Sequence, residues 1–321
     1  MKKLFLFFFS LAILSSCQDD DNNVEPEPPN NSYRLKEAII IESSGISQKY
    51  LYNYQDNRLL EGITSFSNSK DWTDVMKFEI TYSGNDAELI YKGMPDTSQL
   101  IYLNRYEFEN ERPVKITPYI YNENVLYREA VYSFKYNNNL LIQYLEASDN
   151  GNELITTFKT DYIYNGNAIR EAKSYYYVSD EGWMYNFNRT YVQKDGIVEI
   201  LSSSVMQDSI YRAASKTNLY LSVNNISKIE HYYRWPDMED WELRDEVDFI
   251  YNADGYIIEE NYRGEIDGDH IVSYEYEEGK GNLDWFYMPN QSLEMKSNSK
   301  KNNDVFTPFL MPRQMPSFYQ P

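Results

Sequence analysis

Cysteine occurs once and histidine twice in 321 residues. That is too few for a disulfide framework, a Cys/His zinc site or a Cys/His redox centre. Basic residues are also scarce: 30 Lys and Arg stand against 50 Asp and Glu, for a formal charge of −20 and a pI near 4.5. Nucleic acid is a poor partner for such a chain, because phosphate binding needs a basic face. Polybasic docking on anionic lipid fails for the same reason. Helical signal is missing too, since no window of twelve residues carries an i, i+3, i+4, i+7 apolar pattern free of β-branched and aromatic residues. No Gly-x-Ser-x-Gly elbow, P-loop or dinucleotide fingerprint occurs. What the chain has in quantity is tyrosine, 32 copies, within 16% aromatics.

The N-terminus addresses the protein to a membrane. Lys2 and Lys3 precede an apolar run from Leu4 to Leu14. The run is too short to span a bilayer, which needs about 20 residues, and it has the anatomy of a secretory h-region. Leu14-Ser15-Ser16-Cys17 resembles the lipobox of bacterial lipoproteins. The alternative is an ordinary signal peptide ending near a cysteine; that Cys17 is the only cysteine favours the lipobox. Residues 1–17 are thus read as a lipoprotein signal peptide whose Cys17 carries the lipid anchor. Cleavage before Cys17 leaves 28 basic against 50 acidic residues, a net of −22. Residues 18–32 contain one aliphatic residue, Val24, among acids, asparagines and prolines. Such a segment cannot offset its ordering entropy and serves as an extended tether. The acidic run Asp19-Asp20-Asp21 resembles the export signal of surface lipoproteins in some Gram-negative bacteria. The expected location is therefore the outer membrane, facing the cell surface, with the periplasmic face as the alternative.

Residues 33–282 read as one repeat domain. A short strand with aromatics at alternate positions meets a turn rich in Asn, Asp and Gly, and an aliphatic residue opens the next strand. The anchors fall at Tyr54, Tyr82, Phe108, Tyr136, Tyr164, Val192, Leu221, Tyr251 and Tyr276, spaced 25 to 30 residues apart with a mean near 28. Each unit holds two strands, so nine anchors predict about eighteen strands in an all-β, antiparallel up-and-down meander. Strand faces alternate: Phe78, Ile80 and Tyr82 against Lys77, Glu79 and Thr81, and Val272, Tyr274 and Tyr276 against Ser273 and Glu275. A lipid-facing apolar band is missing, so the sheet is expected to be water-soluble and not membrane-spanning. Closure is left between a flattened barrel, a sandwich and a hollow shell. Residues 283–321, with prolines at 289, 308, 312, 316 and 321, break the repeat. They read as a C-terminal strap over the last strand edge, or as a flexible arm.

The Tyr-x-Tyr, Asn/Asp/Gly turn, aliphatic cadence resembles the YD-repeat family of secreted shell-forming proteins. It is more similar to lipoproteins of unknown function in gut-type Gram-negative bacteria, whose domain is described as porin-like in fold. The resemblance covers about residues 33–305, including Glu278-Gly279-Lys280-Gly281-Asn282 and Ser299-Lys300-Lys301-Asn302-Asn303. The strict Gly and Asp-Gly pattern and the effector domain of toxin-associated shells are lacking. The closer family implies no catalytic residues.

Chemistry-bearing residues are few. His231 and His270 lie in strand and turn contexts without a second histidine at metal spacing. Asp267-Gly268-Asp269 and Asn252 to Gly255 match hairpin turns better than calcium loops. Fifty acidic residues offer too many pairs for any one to signal a glycosidase. No catalytic residue, metal or cofactor is assigned, and an enzyme is not expected. The leading reading is a non-catalytic surface module that binds glycan or protein. Trp72, Trp183 and Trp241, each just after an inter-unit turn, form its candidate aromatic rim; strand-end packing is their alternative role. A structural or assembly component of the envelope comes second and a hydrolase third.

Overall fold

The computed structural model describes residues 33–279 except 68–70, 97–99, 111, 123–124, 138–139, 150, 152, 167, 206–210, 223–224, 235–238 and 265–267. The signal peptide, Cys17, the tether and the C-terminal segment from residue 280 lie outside the described residues. The first strands are β1 (Tyr33–Glu42), β2 (Ser47–Gln55), β3 (Arg58–Ser67), β4 (Thr73–Ser83), β5 (Asp86–Gly93), β6 (Leu100–Glu109) and β7 (Arg112–Asn122). Then come β8 (Val125–Arg128), β9 (Ala130–Asn137), β10 (Leu140–Asp149), β11 (Leu154–Asn165), β12 (Ala168–Val178) and β13 (Gly182–Lys194). The last are β14 (Ile197–Val205), β15 (Tyr211–Ser222), β16 (Asn225–Tyr233), β17 (Glu242–Tyr251), β18 (Ile257–Gly264) and β19 (His270–Glu278). No helix occurs among the described residues.

All pairings are antiparallel and join sequence neighbours, except that β7 also meets β9 and β1 pairs with β19 as well as β2, which closes a barrel. β8 and β9 share one lane. The chain breaks register at Glu129 opposite Pro118, a residue with no N–H to give the ladder, and the Glu129 amide donates to the Pro118 carbonyl at 3.0 Å. Nineteen strands thus make eighteen lanes, as the nine-unit repeat predicts.

A circular ring of that size would be roughly 35 Å across and leave an aqueous channel. Yet inward side chains from every lane are less than a tenth exposed, from Leu35, Leu59, Leu89 and Ile116 through Leu141, Ile200 and Ile226 to Ile257 and Val272. They join into one apolar cluster. The inward side chains are therefore covered at this level, and the barrel holds no open aqueous channel there. Packing is close enough to dictate a glycine: a Cβ on Gly62 would collide with the Phe78 ring.

The outer face is polar. Lys77 on β4 bonds Glu61 on β3 at 2.6 Å, and Lys228 on β16 bonds Glu246 on β17 at 2.7 Å. Arg105 on β6 reaches Glu88 on β5 at 2.8 Å, and Lys115 on β7 reaches Glu107 on β6 at 2.7 Å. Each exposed pair contributes only about 0.2–1 kcal/mol. What they establish is which wall meets water, since a lipid-facing barrel needs an apolar band there.

Adjacent units are joined by a recurrent bond. Most tight turns carry one extra residue, which shifts the register at Asn53/Tyr54, Glu107/Phe108, Leu141/Gln143, Tyr220/Leu221 and Ile250/Tyr251. The anchor tyrosine of the next unit donates its hydroxyl to the carbonyl at that shift. Tyr82 bonds Leu59 O at 2.8 Å, Tyr136 bonds Pro113 O at 3.0 Å and Tyr164 bonds Leu141 O at 2.8 Å. Tyr251 bonds Ile226 O at 2.7 Å and Tyr276 bonds Ile257 O at 2.8 Å. Burial pushes the Tyr136, Tyr164 and Tyr251 phenols far above their ordinary value, so all three stay protonated donors. The sixth anchor departs from the sequence expectation. The turn at Asp195-Gly196 pairs Lys194 directly with Ile197 and adds no extra residue. The inward positions there fall on Tyr191 and Val198, and Val192 points out, 51% exposed.

The ninth unit is built from both chain ends. Tyr276 on β19 pairs with Leu35 on β1, with a register shift beside Leu35, just as Tyr54 pairs with Leu59. Arg34 lies over the Tyr54 ring at 4.6 Å, as Arg58 lies over Tyr82 at 4.9 Å and Arg112 over Tyr136 at 5.7 Å. β1 is thus the second strand of the unit that β19 begins. The last strand has no free edge, so a C-terminal strap is not needed to cover one; the segment itself lies outside the described residues.

Tyr164→Phe should lose about 1–3 kcal/mol in denaturant melts, the cost of a buried carbonyl without its donor. Tyr164→Ala should lose about 3–5 kcal/mol, and Lys135→Ala less than about 0.5 kcal/mol. A Phe variant as stable as wild type would show that the hydroxyl contributes nothing. A circular permutant with Glu278 joined to Tyr33 through a short Asn-Gly turn, and new ends within 235–238, should melt cooperatively as an all-β protein. An unfolded permutant would mean that the termini do more than replace a turn.

Candidate binding rim

The antiparallel order gives the barrel two unlike ends. One collects the tight turns, such as Asp56-Asn57 and Asp195-Gly196, whose residues take the positive φ that two-residue hairpins require. Both ends of the described chain lie here, because Tyr33 is opposite Glu278. The other end collects the inter-unit turns, with Trp72, Trp183 and Trp241 among them.

All three tryptophans sit beside a cation. Lys49 lies over Trp72 at 4.8 Å, Lys159 over Trp183 at 5.1 Å and Lys216 over Trp241 at 5.4 Å, with Arg234 also over Trp241 at 4.5 Å. Each lysine belongs to a strand two lanes before its tryptophan. The three share a rim. They fall at the fourth, twelfth and sixteenth of the eighteen lanes, hence about 38, 19 and 29 Å apart along the wall at roughly 4.8 Å per lane.

The Lys216 ammonium over Trp241 also lies 4.4 Å from the Tyr232 ring, and Trp183 has a direct ring partner. It meets Tyr177 edge to face at 5.5 Å, and one step further from the turn Tyr175 meets Tyr185 in the same way at 5.4 Å. Lys159 spans both pairs, 4.6 Å from the Tyr175 ring. Tyr177 is 40% and Trp183 39% exposed, and Tyr176, on the opposite face of β12, is 39% exposed. β13, at 13 residues, is the longest strand of the barrel. The sequence signal was available in the run Tyr175-Tyr176-Tyr177 followed by Trp183 and Tyr185, and it was missed because it looks like ordinary strand alternation.

The strand break at Glu129 leaves a half-buried carboxylate. Burial raises its affinity for protons. Burial also raises that of Glu146 on β10, against the opposing hydrogen bond from Tyr144, and the neighbouring Glu129 charge adds to the rise. The Tyr144 hydroxyl donates to Glu146 Oε2 at 3.3 Å. No sequence pattern marks these two among so many acids.

The histidines have local roles. His231 Nδ1 is 2.8 Å from Thr217 Oγ1. His270 stacks on the Tyr262 ring with centroids 4.1 Å apart and has Nδ1 3.2 Å from Gly268 O. Asn252 Oδ1 accepts the amides of Asp254 and Tyr256, so this acidic loop is tied up in its own turn.

No protein-family model and no curated protein matches the chain. Among solved structures, a porin-like protein from Bacteroides uniformis is 10% identical with a TM-score of 0.38, covering 76% of this chain and 98% of its own. A porin-like protein from Bacteroides vulgatus is 6% identical with a TM-score of 0.39, covering 77% and 99%. A DUF3836 family protein from Bacteroides vulgatus is 16% identical with a TM-score of 0.25, covering 27% and 91%. These are the kind of protein that the tyrosine cadence resembles. At such scores, fold and site rest on the strands and side chains of this chain alone.

The raised carboxyls give a pH prediction. A carboxyl whose folded-state affinity for protons exceeds its unfolded one stabilises the fold at low pH, and that stability is lost as pH rises through its folded pKa. Glu146→Gln should therefore be more stable than wild type at pH 7.5, with the difference shrinking towards pH 4.5. Melts showing the same difference at both pH values would contradict the assignment.

Proposed function

We propose that the chain is a lipid-anchored envelope protein that displays a non-catalytic binding module for glycan or protein at the cell surface. The observation that carries this reading is the separation of the two rims. A tether anchored through Cys17 enters the barrel at Tyr33, on the tight-turn rim. The aromatic hairpin lies on the opposite rim, on the order of 25–30 Å away for strands of this length tilted near 40°. Fifteen extended residues add up to about 45 Å of reach. Among the described residues the tryptophans thus lie on the rim away from the anchor, and the aromatic side faces outward. A polar outer wall and a filled lumen support a soluble, displayed body rather than a conduit.

Cys17→Ser should abolish acyl-chain labelling and release the protein from the membrane fraction. Retained labelling would refute the anchor. With Cys17 acylated, a Ser179→Cys variant places the only free thiol at the tip of the hairpin. A membrane-impermeant maleimide should label it on intact cells. Labelling only after outer-membrane disruption would place the protein on the periplasmic side, and replacing Asp19, Asp20 and Asp21 by alanine should produce that same pattern.

A further inference from the structure

We propose that the outer face of the β12–β13 hairpin is a stacking subsite for a neutral polysaccharide, with Trp183 and Tyr177 as its platform. The inference rests on the display reading above and names the site and the ligand class. Exposed aromatics are few in this barrel: Trp72, Tyr127, Tyr176, Tyr177 and Trp183 are the large aromatic side chains more than a third exposed among the described residues. Three of the five fall within eight residues of one hairpin, on the rim away from the chain ends. Tyr127 and Trp72 lie elsewhere, on β8 and just before β4, so the exposed rings are concentrated on this hairpin.

The platform is held before any ligand arrives. Trp183 and Tyr177 fix one another edge to face, Tyr175 and Tyr185 repeat the arrangement beneath them, and the Lys159 ammonium lies over both Trp183 and Tyr175. A side chain already immobilised loses little entropy on binding. A ring face carries negative quadrupole density, which complements the polarised C–H face of a pyranose. One face of Trp183 is taken by the lysine, and its remaining exposure is what a sugar ring would cover.

Charge selects the ligand class. The turn between the two strands carries Asp180 and Glu181, both exposed, and the body as a whole is strongly acidic. Anionic polymers such as polyuronates would meet repulsion. A neutral glycan would not, and carboxylates are good acceptors for its hydroxyl protons.

The test uses the acylated full-length protein in detergent micelles and a panel of starch, mannan, xylan and mixed-linkage β-glucan, with polygalacturonate as the anionic control. Affinity electrophoresis should show retardation by at least one neutral polymer and none by polygalacturonate. Trp183→Ala combined with Tyr177→Ala should weaken that retardation at least tenfold, while Tyr127→Ala, an exposed aromatic elsewhere, should leave it unchanged. The far-UV spectrum and melting curve of the double variant establish that it is folded. Full binding by a folded double variant would overturn the subsite while leaving a glycan-binding function standing. Failure of every neutral polymer, with the hairpin thiol still labelled on intact cells, would overturn the ligand class and leave the display reading intact. Retardation by polygalacturonate alone would overturn the charge argument. A concentration-dependent dimer that disappears in the double variant would assign the hairpin to self-association instead.

Discussion

The bond from an anchor tyrosine to the carbonyl at its neighbour's bulge is the constraint on which the barrel depends. A bulge lets a tight turn reverse a strongly twisted strand pair, but it interrupts the ladder and leaves a carbonyl facing a dry interior. An unpaired buried carbonyl would cost about 1–3 kcal/mol at each such turn. A tyrosine one unit along supplies the missing donor, and its ring fills the lumen at the same height. Phenylalanine could fill the space but not satisfy the carbonyl. At the latched positions, tyrosine is thus required twice over, for volume and for a hydroxyl.

This bond also makes the repeat cooperative. In an open array the terminal units would lack one neighbour and expose an edge. Here β1 supplies the missing half of the last unit, with Arg34 and Leu35 in the positions that Arg58 and Leu59 hold in the next unit. Closure removes both edges at once and brings the chain ends to one rim.

The interior is committed to packing. The lumen is filled where it is described as buried, and the outer wall is laced with ion pairs whose exposed geometry gives them little energetic value. The aromatic hairpin departs from both patterns: Tyr177 and Trp183 stand in water, fixed by one another and by a lysine. The half-buried Glu129 and Glu146 are a separate departure. They follow from a strand break at Pro118, and their raised proton affinity is a stability penalty at neutral pH, the kind of local conflict tolerated where a turn of the chain cannot be avoided.

The sequence by itself determined the local structure and the count. Alternation of Phe78, Ile80 and Tyr82 with Lys77, Glu79 and Thr81 assigns a wet and a dry face because strand side chains alternate with period two, and the spacing of the anchors yields eighteen strands. It also placed Trp72, Trp183 and Trp241 at one rim, since each follows an inter-unit turn. Tertiary structure decided the rest. Whether the ring closes depends on Tyr276 meeting Leu35, a contact between residues at opposite ends of the domain that no local pattern encodes. Whether Val192 points in or out depends on the register of β13 against β14, which sets Tyr191 against Ile200 on the inner face and Val192 against Glu199 on the outer one. How the three tryptophans are spaced depends on how many lanes separate them around the wall, and the ring pairing of Trp183 with Tyr177 depends on the register of β12 against β13.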